Sequence, residues 1–339
     1  MKMGQATPLT QEYRGDLLDL THFGHIAVVD ETGRVIYSAG DPSAVIFYRS
    51  ASKPVQALPV FARGLKEKYG ITDEESVIFA ASHAGEPFHV AALESIFKKA
   101  GFSEDQLIMN PAVPAYAPAN EARIRAGIGP RKFFHNCSGK HAALMLLQKE
   151  LTGSPEGYEK IDSPCQQEVL RTVAALSEYP ADQIQLGIDG CGVPVFAVGL
   201  KNIATAYKNL ACIDTIADPD LRRAAGQLVP LIHQYPHMMR GTGYLCSEIN
   251  YDGNIVAKGG ALGVYGLALK KERLGIAFKL TDGTETDWPL IIREIFRQIG
   301  YHNEETEARL LRLGDGILRN DNNTIVGTRK AVFTLEKHA

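Results

Sequence analysis

Ser50-Ala51-Ser52-Lys53 sets a hydroxyl and an amine three positions apart. On a helix, residues at that spacing share a face, so the two side chains can touch. The apolar run Val45-Ile46-Phe47-Tyr48 precedes them and Pro54 follows, which suits a first helical turn. A serine hydroxyl is a poor nucleophile at neutral pH and needs a base beside it. A lysine is that base only where burial or a nearby cation lowers its pKa. The chemistry on offer is attack by a serine oxygen with an amine as proton acceptor. Taken alone, the four residues read first as an N-capping serine beside a solvated lysine, because short motifs match by chance.

Four further stretches carry functional groups. Ser82-His83-Ala84-Gly85-Glu86 follows the apolar run Val77–Ala81 and reads equally as a site or as a capped helix end. Lys258-Gly259-Gly260 ends a β-like run. Two residues without side chains let a ligand approach the backbone there, although a tight turn with a surface lysine is the simpler account. His135-Asn136-Cys137-Ser138-Gly139-Lys140-His141 opens a helix. A helix start offers free N–H groups and the positive dipole end, which favour a carboxylate or an oxyanion. Its density of polar side chains favours a site over a cap. In Gly187-Ile188-Asp189-Gly190-Cys191-Gly192-Val193-Pro194, one carboxylate ends an apolar strand among glycines, suited to anchoring an amino group or orienting a water, or simply to a turn. Cys137 and Cys191 could share a metal, but their spacing carries no ligand signal, and two buried thiols are the default. H-E-x-x-H, Walker A and dinucleotide-binding glycine motifs do not occur.

The elements that would position these groups follow from periodicity. His25–Asp30 and Arg34–Ala39 flank Glu31-Thr32-Gly33 as a hairpin. From Lys53 to about Tyr179 the pattern is mainly helical, with helices at Phe88–Lys99 (ended by Gly101), Lys140–Leu151 and Cys165–Leu176 (opened by Ser163-Pro164). Strand signals return at Gln185–Ile188 and Val193–Val198, then helices at Ala204–Leu210 and Leu221–His233. Ile255–Lys258, Gly263–Leu269 and Gly275–Leu280 are β-like, and Pro289–Ile299 is helical. The fold class is therefore α/β (α+β), with one antiparallel sheet built from both chain ends and a mainly helical subdomain inserted between them. Residues 1–339 form a single catalytic unit: 20–50 plus 180–339 carry the sheet and 51–179 the helices. The site is expected where the two parts meet.

With 45% hydrophobic and 22% charged residues, the chain can bury a sizeable core. A formal net charge of −3 without basic runs gives no footprint for nucleic acid or a membrane surface. No apolar segment has the length of a spanning helix, and Met1–Asp19 lacks the apolar region of a secretory signal. Five cysteines, an odd number in a long chain, fit reduced thiols in a cytoplasmic protein.

Taken together, Arg49–Lys53, Ser82–Glu86, His135–His141, Gly187–Gly192 and Lys258–Gly260 occur in an order that resembles the Rhizobium-etli-type L-asparaginases, from about Gly24 to the C-terminus. The resemblance implies a fold similar to serine β-lactamases and glutaminases, and hydrolysis of L-asparagine to L-aspartate and ammonia. It implies two Ser–Lys pairs, Ser50 with Lys53 and Ser82 with Lys258, the first serine attacking. It places Cys137, Lys140 and Cys191 on zinc ligands, the Zn2+ positioning rather than activating water. Arg49, Asn136, His141, Asp189 and Gly259 fall on the substrate pocket. A lysine ligand must be neutral, which demands a strongly depressed pKa. A homodimer is the expected assembly. The competing readings are a β-lactamase-like or D-Ala peptidase-type hydrolase, a glutaminase, and a non-catalytic zinc or amino-acid binding protein.

Overall fold

The computed structural model describes residues 5–338. Twelve strands lie in chain order as β1 (Thr7–Arg14), β2 (Leu17–Val29), β3 (Val35–Ala39), β4 (Val45–Phe47), β5 (Gln185–Ile188), β6 (Pro194–Gly199), β7 (Ile255–Gly260), β8 (Val264–Leu269), β9 (Leu274–Leu280), β10 (Ile317–Arg319), β11 (Ile325–Ala331) and β12 (Glu336–Lys337). The helices are α1 (Lys53–Ala62), α2 (Leu65–Lys68), α3 (Asp73–Val77), α4 (Pro87–Ala100), α5 (Ala117–Arg125), α6 (Ser138–Thr152), α7 (Pro164–Ser177), α8 (Leu200–Ala211), α9 (Pro219–Gln234), α10 (Leu245–Glu248), α11 (Trp288–Ile299) and α12 (Glu304–Leu313).

The main sheet runs β10-β11-β1-β2-β9-β8-β7, with β3 also on β2 and β12 on β3. Its pairings are antiparallel, and strands from both chain ends meet where β1 pairs with β11 and β2 with β9. The fold class is thus the mixed α/β arrangement read from the sequence. Strand alternation splits the core in two. Ala27, Val29, Val256, Val264 and Ala277 join the helical layer, whereas Ile26, Val28, Ala257, Tyr265, Leu267 and Phe278 pack against α11 and α12. Helix α11 turns Trp288, Ile291, Ile292 and Ile295 inward, an i, i+3, i+4, i+7 stripe. Each such aliphatic burial contributes about 1.5–3 kcal/mol.

Helix α8 lies directly on β8 and β9. A Cβ at Gly275 would stand 2.0 Å from the Ala204 carbonyl oxygen, so the helix seats this close only over glycine.

Two runs expected in the main sheet form a second one instead. Strands β5 and β6 join β4 in the order β4-β6-β5, with Ile46 opposite Val198 and Gly187 opposite Val195. The expected hairpin at Glu31-Thr32-Gly33 is present as the β2–β3 connection. Strands β1, β10, β11 and β12 go unread in the sequence because their polar and apolar residues do not alternate cleanly; β11 is largely open to solvent on both faces. Among the described residues, no helix is long and apolar enough to cross a membrane.

Candidate active site

The 3₁₀ turn Arg49–Ser52 runs straight into α1. Arg49 takes a left-handed backbone (φ 49°), a conformation costing a non-glycine residue on the order of 1 kcal/mol. Its guanidinium grips Asp189 Oδ1 through Nε at 3.0 Å and Nη2 at 2.9 Å. Asp189 is in turn fixed by its N–H donating to Val193 O and its carbonyl accepting from Gly192 N–H. The Ser52 hydroxyl donates to Arg49 O and accepts from Gln56. Ser50 is therefore held from both sides.

Lys53, the first residue of α1, is fully buried. Its Nζ donates to Ala81 O (2.8 Å), Ser82 Oγ (2.9 Å) and Asn136 O (3.3 Å). Ser82 sits in extended chain beyond the turn Ile78–Ala80. Its N–H donates to Met239 O at 3.0 Å, and its carbonyl accepts from Arg240 Nη1 at 2.7 Å. Next to it His83 is buried and joins Ser138 Oγ at 2.7 Å, with its pKa lowered by burial and by His89 and Lys53.

Lys258 faces the helical layer, as the alternation of β7 requires, and it too is buried. Its ammonium bonds to the carbonyl of its neighbour Gly259. The Gly259 N–H donates to Cys246 Sγ at 3.2 Å. At Gly260 the strand meets the 3₁₀ turn so closely that a Cβ would lie 2.8 Å from Tyr48 O and 2.9 Å from Ala51 N. Tyr207 on α8 spans the same junction, its hydroxyl reaching Ala51 O at 2.7 Å and Lys258 O at 3.3 Å.

The expected pairing of serines and lysines changes. The bonded pair is Lys53 with Ser82, whereas Lys258 bonds to Gly259; neither Ser50–Lys53 nor Ser82–Lys258 forms a hydrogen bond among the described residues. The two serines and Lys258 instead share a cavity of about 210 Å³. Asn136 and Gly259 also line it, and so do Arg240, Cys246, Glu285 and Trp288, which sequence reasoning missed. Only the glycines around Arg240 (Gly241, Gly243) hinted at a special backbone there. Arg49 and Asp189 brace the serine turn rather than line the cavity, and His141 lies behind the wall.

Both lysines are pushed toward the neutral amine. Burial lowers the Lys258 pKa to about 8; Cys246 opposes the shift, while Lys53 and Arg240 add to it. Burial also lowers Lys53, against the pull of Cys137 and with the push of Lys140. Lys258 is then able to accept a proton near neutral pH, and Lys53 is shifted in the same direction.

Behind this wall Cys137, Lys140 and Cys191 converge. The two free thiols are hydrogen-bonded, and Lys140 Nζ lies 3.1 Å from Cys191 Sγ. Cys137 is drawn well below the ordinary thiol range, first by the bond from Cys191 and then by Lys53 and Lys140. Burial acts to neutralise Lys140, but Cys137 and Cys191 outweigh it and keep the ammonium charged. Two soft sulfurs and one nitrogen, all buried and joined through Cys191, are a donor set that fits a zinc ion, with the Lys140 proton leaving on binding. The His141 Nε2, beside this cluster, has no hydrogen-bond partner, while its Nδ1 meets Tyr158 OH at 2.9 Å.

None of the curated proteins matches the chain. Among solved structures, Mglu in its native form is 18% identical over 82% of this chain, with a TM-score of 0.44. The chain spans 65% of Mglu's length. A candidate β-lactamase from Bacteroides dorei DSM 17855 is 12% identical, over 82% of this chain and 93% of the other, with a TM-score of 0.46. A Bacillus glutaminase is 14% identical, over 82% of this chain and 91% of the other, with a TM-score of 0.39. The family model described as L-asparaginase II matches residues 10–331, nearly the whole chain and all five motif stretches, and the chain therefore belongs to the L-asparaginase II family.

Proposed function

We propose that the cavity hydrolyses the side-chain amide of L-asparagine, giving L-aspartate and ammonia through an acyl-enzyme on Ser50. The observation that carries this reading is the buried Lys53 amine bonded to Ser82 Oγ at 2.9 Å, in a wall where Ser50, Ser82 and Lys258 meet.

Lys53 takes the Ser50 hydroxyl proton, and Ser50 Oγ attacks the amide carbon. The carbonyl becomes an oxyanion. First-turn N–H groups of a helical run lack partners from within the helix, and Ser50 lies in such a turn. One oxyanion donor of this type typically contributes about 3–4 kcal/mol. Ser82 is worse placed to attack, because its own N–H is already committed to Met239. Its hydroxyl serves as a relay: Lys53 hands the proton through Ser82 to the departing nitrogen, which leaves as ammonia. Lys258, with its pKa near 8, then takes a proton from the water that opens the β-aspartyl ester, and that proton returns to Ser50 Oγ as L-aspartate leaves.

Cys137, Lys140 and Cys191 would hold a zinc ion whose contribution is to fix the start of α6 and the adjoining Asn136 carbonyl, which accepts from Lys53. Arg49 and Asp189 would hold the turn that carries Ser50. A homodimer and a reducing, cytoplasmic compartment complete the reading; the five buried free thiols accord with the latter.

Ammonia release from asparagine and glutamine, together with β-lactam opening of a penicillin, tests the substrate class. Asparagine is expected to be turned over at least about tenfold better than glutamine, one methylene being worth roughly 1–3 kcal/mol. Ser50→Ala is expected to abolish turnover and acyl-enzyme formation, whereas Ser82→Ala should still acylate slowly. The Lys53–Ser82 bond favours one second reading, in which Ser82 attacks. Acylation surviving in Ser50→Ala and lost in Ser82→Ala would establish it.

A further inference from the structure

Away from the cavity, on the face of the main sheet toward α11, lies a second polar cluster, partly buried. Glu12 on β1, His22 on β2 and Asp287 just before α11 bring one ligand atom each to within 4.8 Å of one another. His22 is 5% exposed and Asp287 fully buried. The His22 Nδ1 is bonded to Asp282, and Thr284 Oγ1 lies 3.2 Å from the same nitrogen. A ring N–H held by a carboxylate fixes the tautomer and leaves Nε2 with a bare lone pair.

That lone pair has no hydrogen-bond partner. It points between Glu12 Oε1 at 3.7 Å and Asp287 Oδ2 at 3.9 Å. These separations are too long for hydrogen bonds, so a proton on Nε2 would not bridge them. They do match ligands sharing an ion: with bonds of about 2.1 Å, neighbouring ligand atoms stand roughly 3 to 4 Å apart.

The charges point the same way. Glu12, Asp282 and Asp287 crowd the ring, and Arg329 is the one cation bonded to this group among the described residues, reaching Glu12 Oε1 and, at 3.1 Å, Asp287 Oδ1. Lys279 is near enough to Asp282 to feel its charge, but its ammonium bonds to the carbonyls of Leu262 and Leu280. Thr10 donates to Asp287 Oδ2 and orients it. The three carboxylates, of which Asp287 is fully buried, therefore outnumber the cations bonded to them, and a bare imidazole nitrogen faces the excess.

We propose that Glu12, His22 and Asp287 form a second metal site, distinct from the thiol cluster, that binds a divalent ion of the zinc class. One imidazole and two carboxylates suit zinc or cobalt(II) better than calcium, which takes oxygen ligands alone. Asp282 supplies the outer hydrogen bond to the ligand histidine. The ion ties β1 and β2 to the segment Asp282–Trp288, whose Glu285 and Trp288 line the cavity.

The test uses the full chain stripped with a chelator, then dialysed against zinc or titrated with cobalt(II). Elemental analysis is expected to give one more zinc per chain in the wild type than in His22→Gln or Glu12→Gln. Cobalt(II) is expected to show, beside any near-ultraviolet thiolate band from the cysteine site, a component without that band that both variants lose. Zinc should raise the wild-type melting temperature by about 3 °C more than that of either variant. Should one variant fail to fold, the other and the wild-type cobalt spectrum still decide. Equal metal content in the wild type and a folded variant, or a cobalt spectrum with only thiolate-bound ion, would overturn the site. Because no step reads asparagine turnover, failure here is separable from failure of the proposed activity.

Discussion

The two walls of the cavity are built on different principles. The helix-borne wall, with Ser50, Lys53 and Ser82, is a hydrogen-bond lattice: the Lys53 amine has three oxygen partners, and Ser82 is held at both its N–H and its carbonyl. The strand-borne wall, with Lys258, Gly259 and Gly260, is held by close packing: Trp288 would be 2.7 Å from a Cβ at Gly259. Its Lys258 amine has one backbone acceptor, from its neighbour in the chain. A group with several acceptors is fixed in place, while a lightly held amine facing a cavity is free to exchange protons. The contrast assigns attack and proton relay to the first wall and the pH-dependent activation of water to the second.

The sharpest way to break this comparison is to remove the two amines in turn. Lys53→Met should cut kcat for ammonia release by about 10³-fold, within the range of general acid–base catalysis, because both the acceptor for Ser50 and the link to Ser82 disappear. Lys258→Met should cost less, about 10²-fold. A larger loss in Lys258→Met would reverse the assignment of roles. The same variant carries the pH test. The neutral amine is the base, and burial brings its pKa down to about 8, so wild-type activity should climb as pH rises through that value and fall away below it. In Lys258→Met that limb should vanish; a limb that persists unchanged belongs to another group.

Packing gives the next effect. Gly260→Ala must push β7 off the serine turn, since its Cβ meets backbone atoms at 2.8 and 2.9 Å. A cost of about 1–3 kcal/mol is expected, read as a drop of several degrees in melting temperature. No change would mean the walls tolerate separation. Smallest is Arg49→Lys. It keeps the charge but loses the double contact with Asp189, and by loosening the turn that carries Ser50 it should lower kcat about tenfold with KM little altered.

Much of this site was legible in the sequence, and the illegible part has a physical reason. Glycines at Gly259 and Gly260 announced a close backbone approach, and the helix start at Ser50 followed from Pro54. The partner of Lys53 did not follow. Helical spacing says which side chains can meet, but an ammonium deep in the protein turns to whichever acceptors folding delivers, here Ser82 Oγ and Asn136 O, 29 and 83 residues away. Trp288 and Glu285 reach the cavity from the loop and helix after β9, with no motif of their own. The outer strands stayed hidden for the opposite reason. In β11 both faces meet water in places, so selection for a buried face leaves little alternation to read.

The Tyr207 hydroxyl touches one carbonyl from each wall. It behaves as a caliper: the gap between the serine turn and the lysine strand is set by the length of a single phenol standing on α8. A pocket gauged in this way can change its depth through one residue that no substrate ever contacts. Substrate length and the catalytic groups then become separately adjustable, which is a route by which amides one methylene apart could be told apart without altering the chemistry.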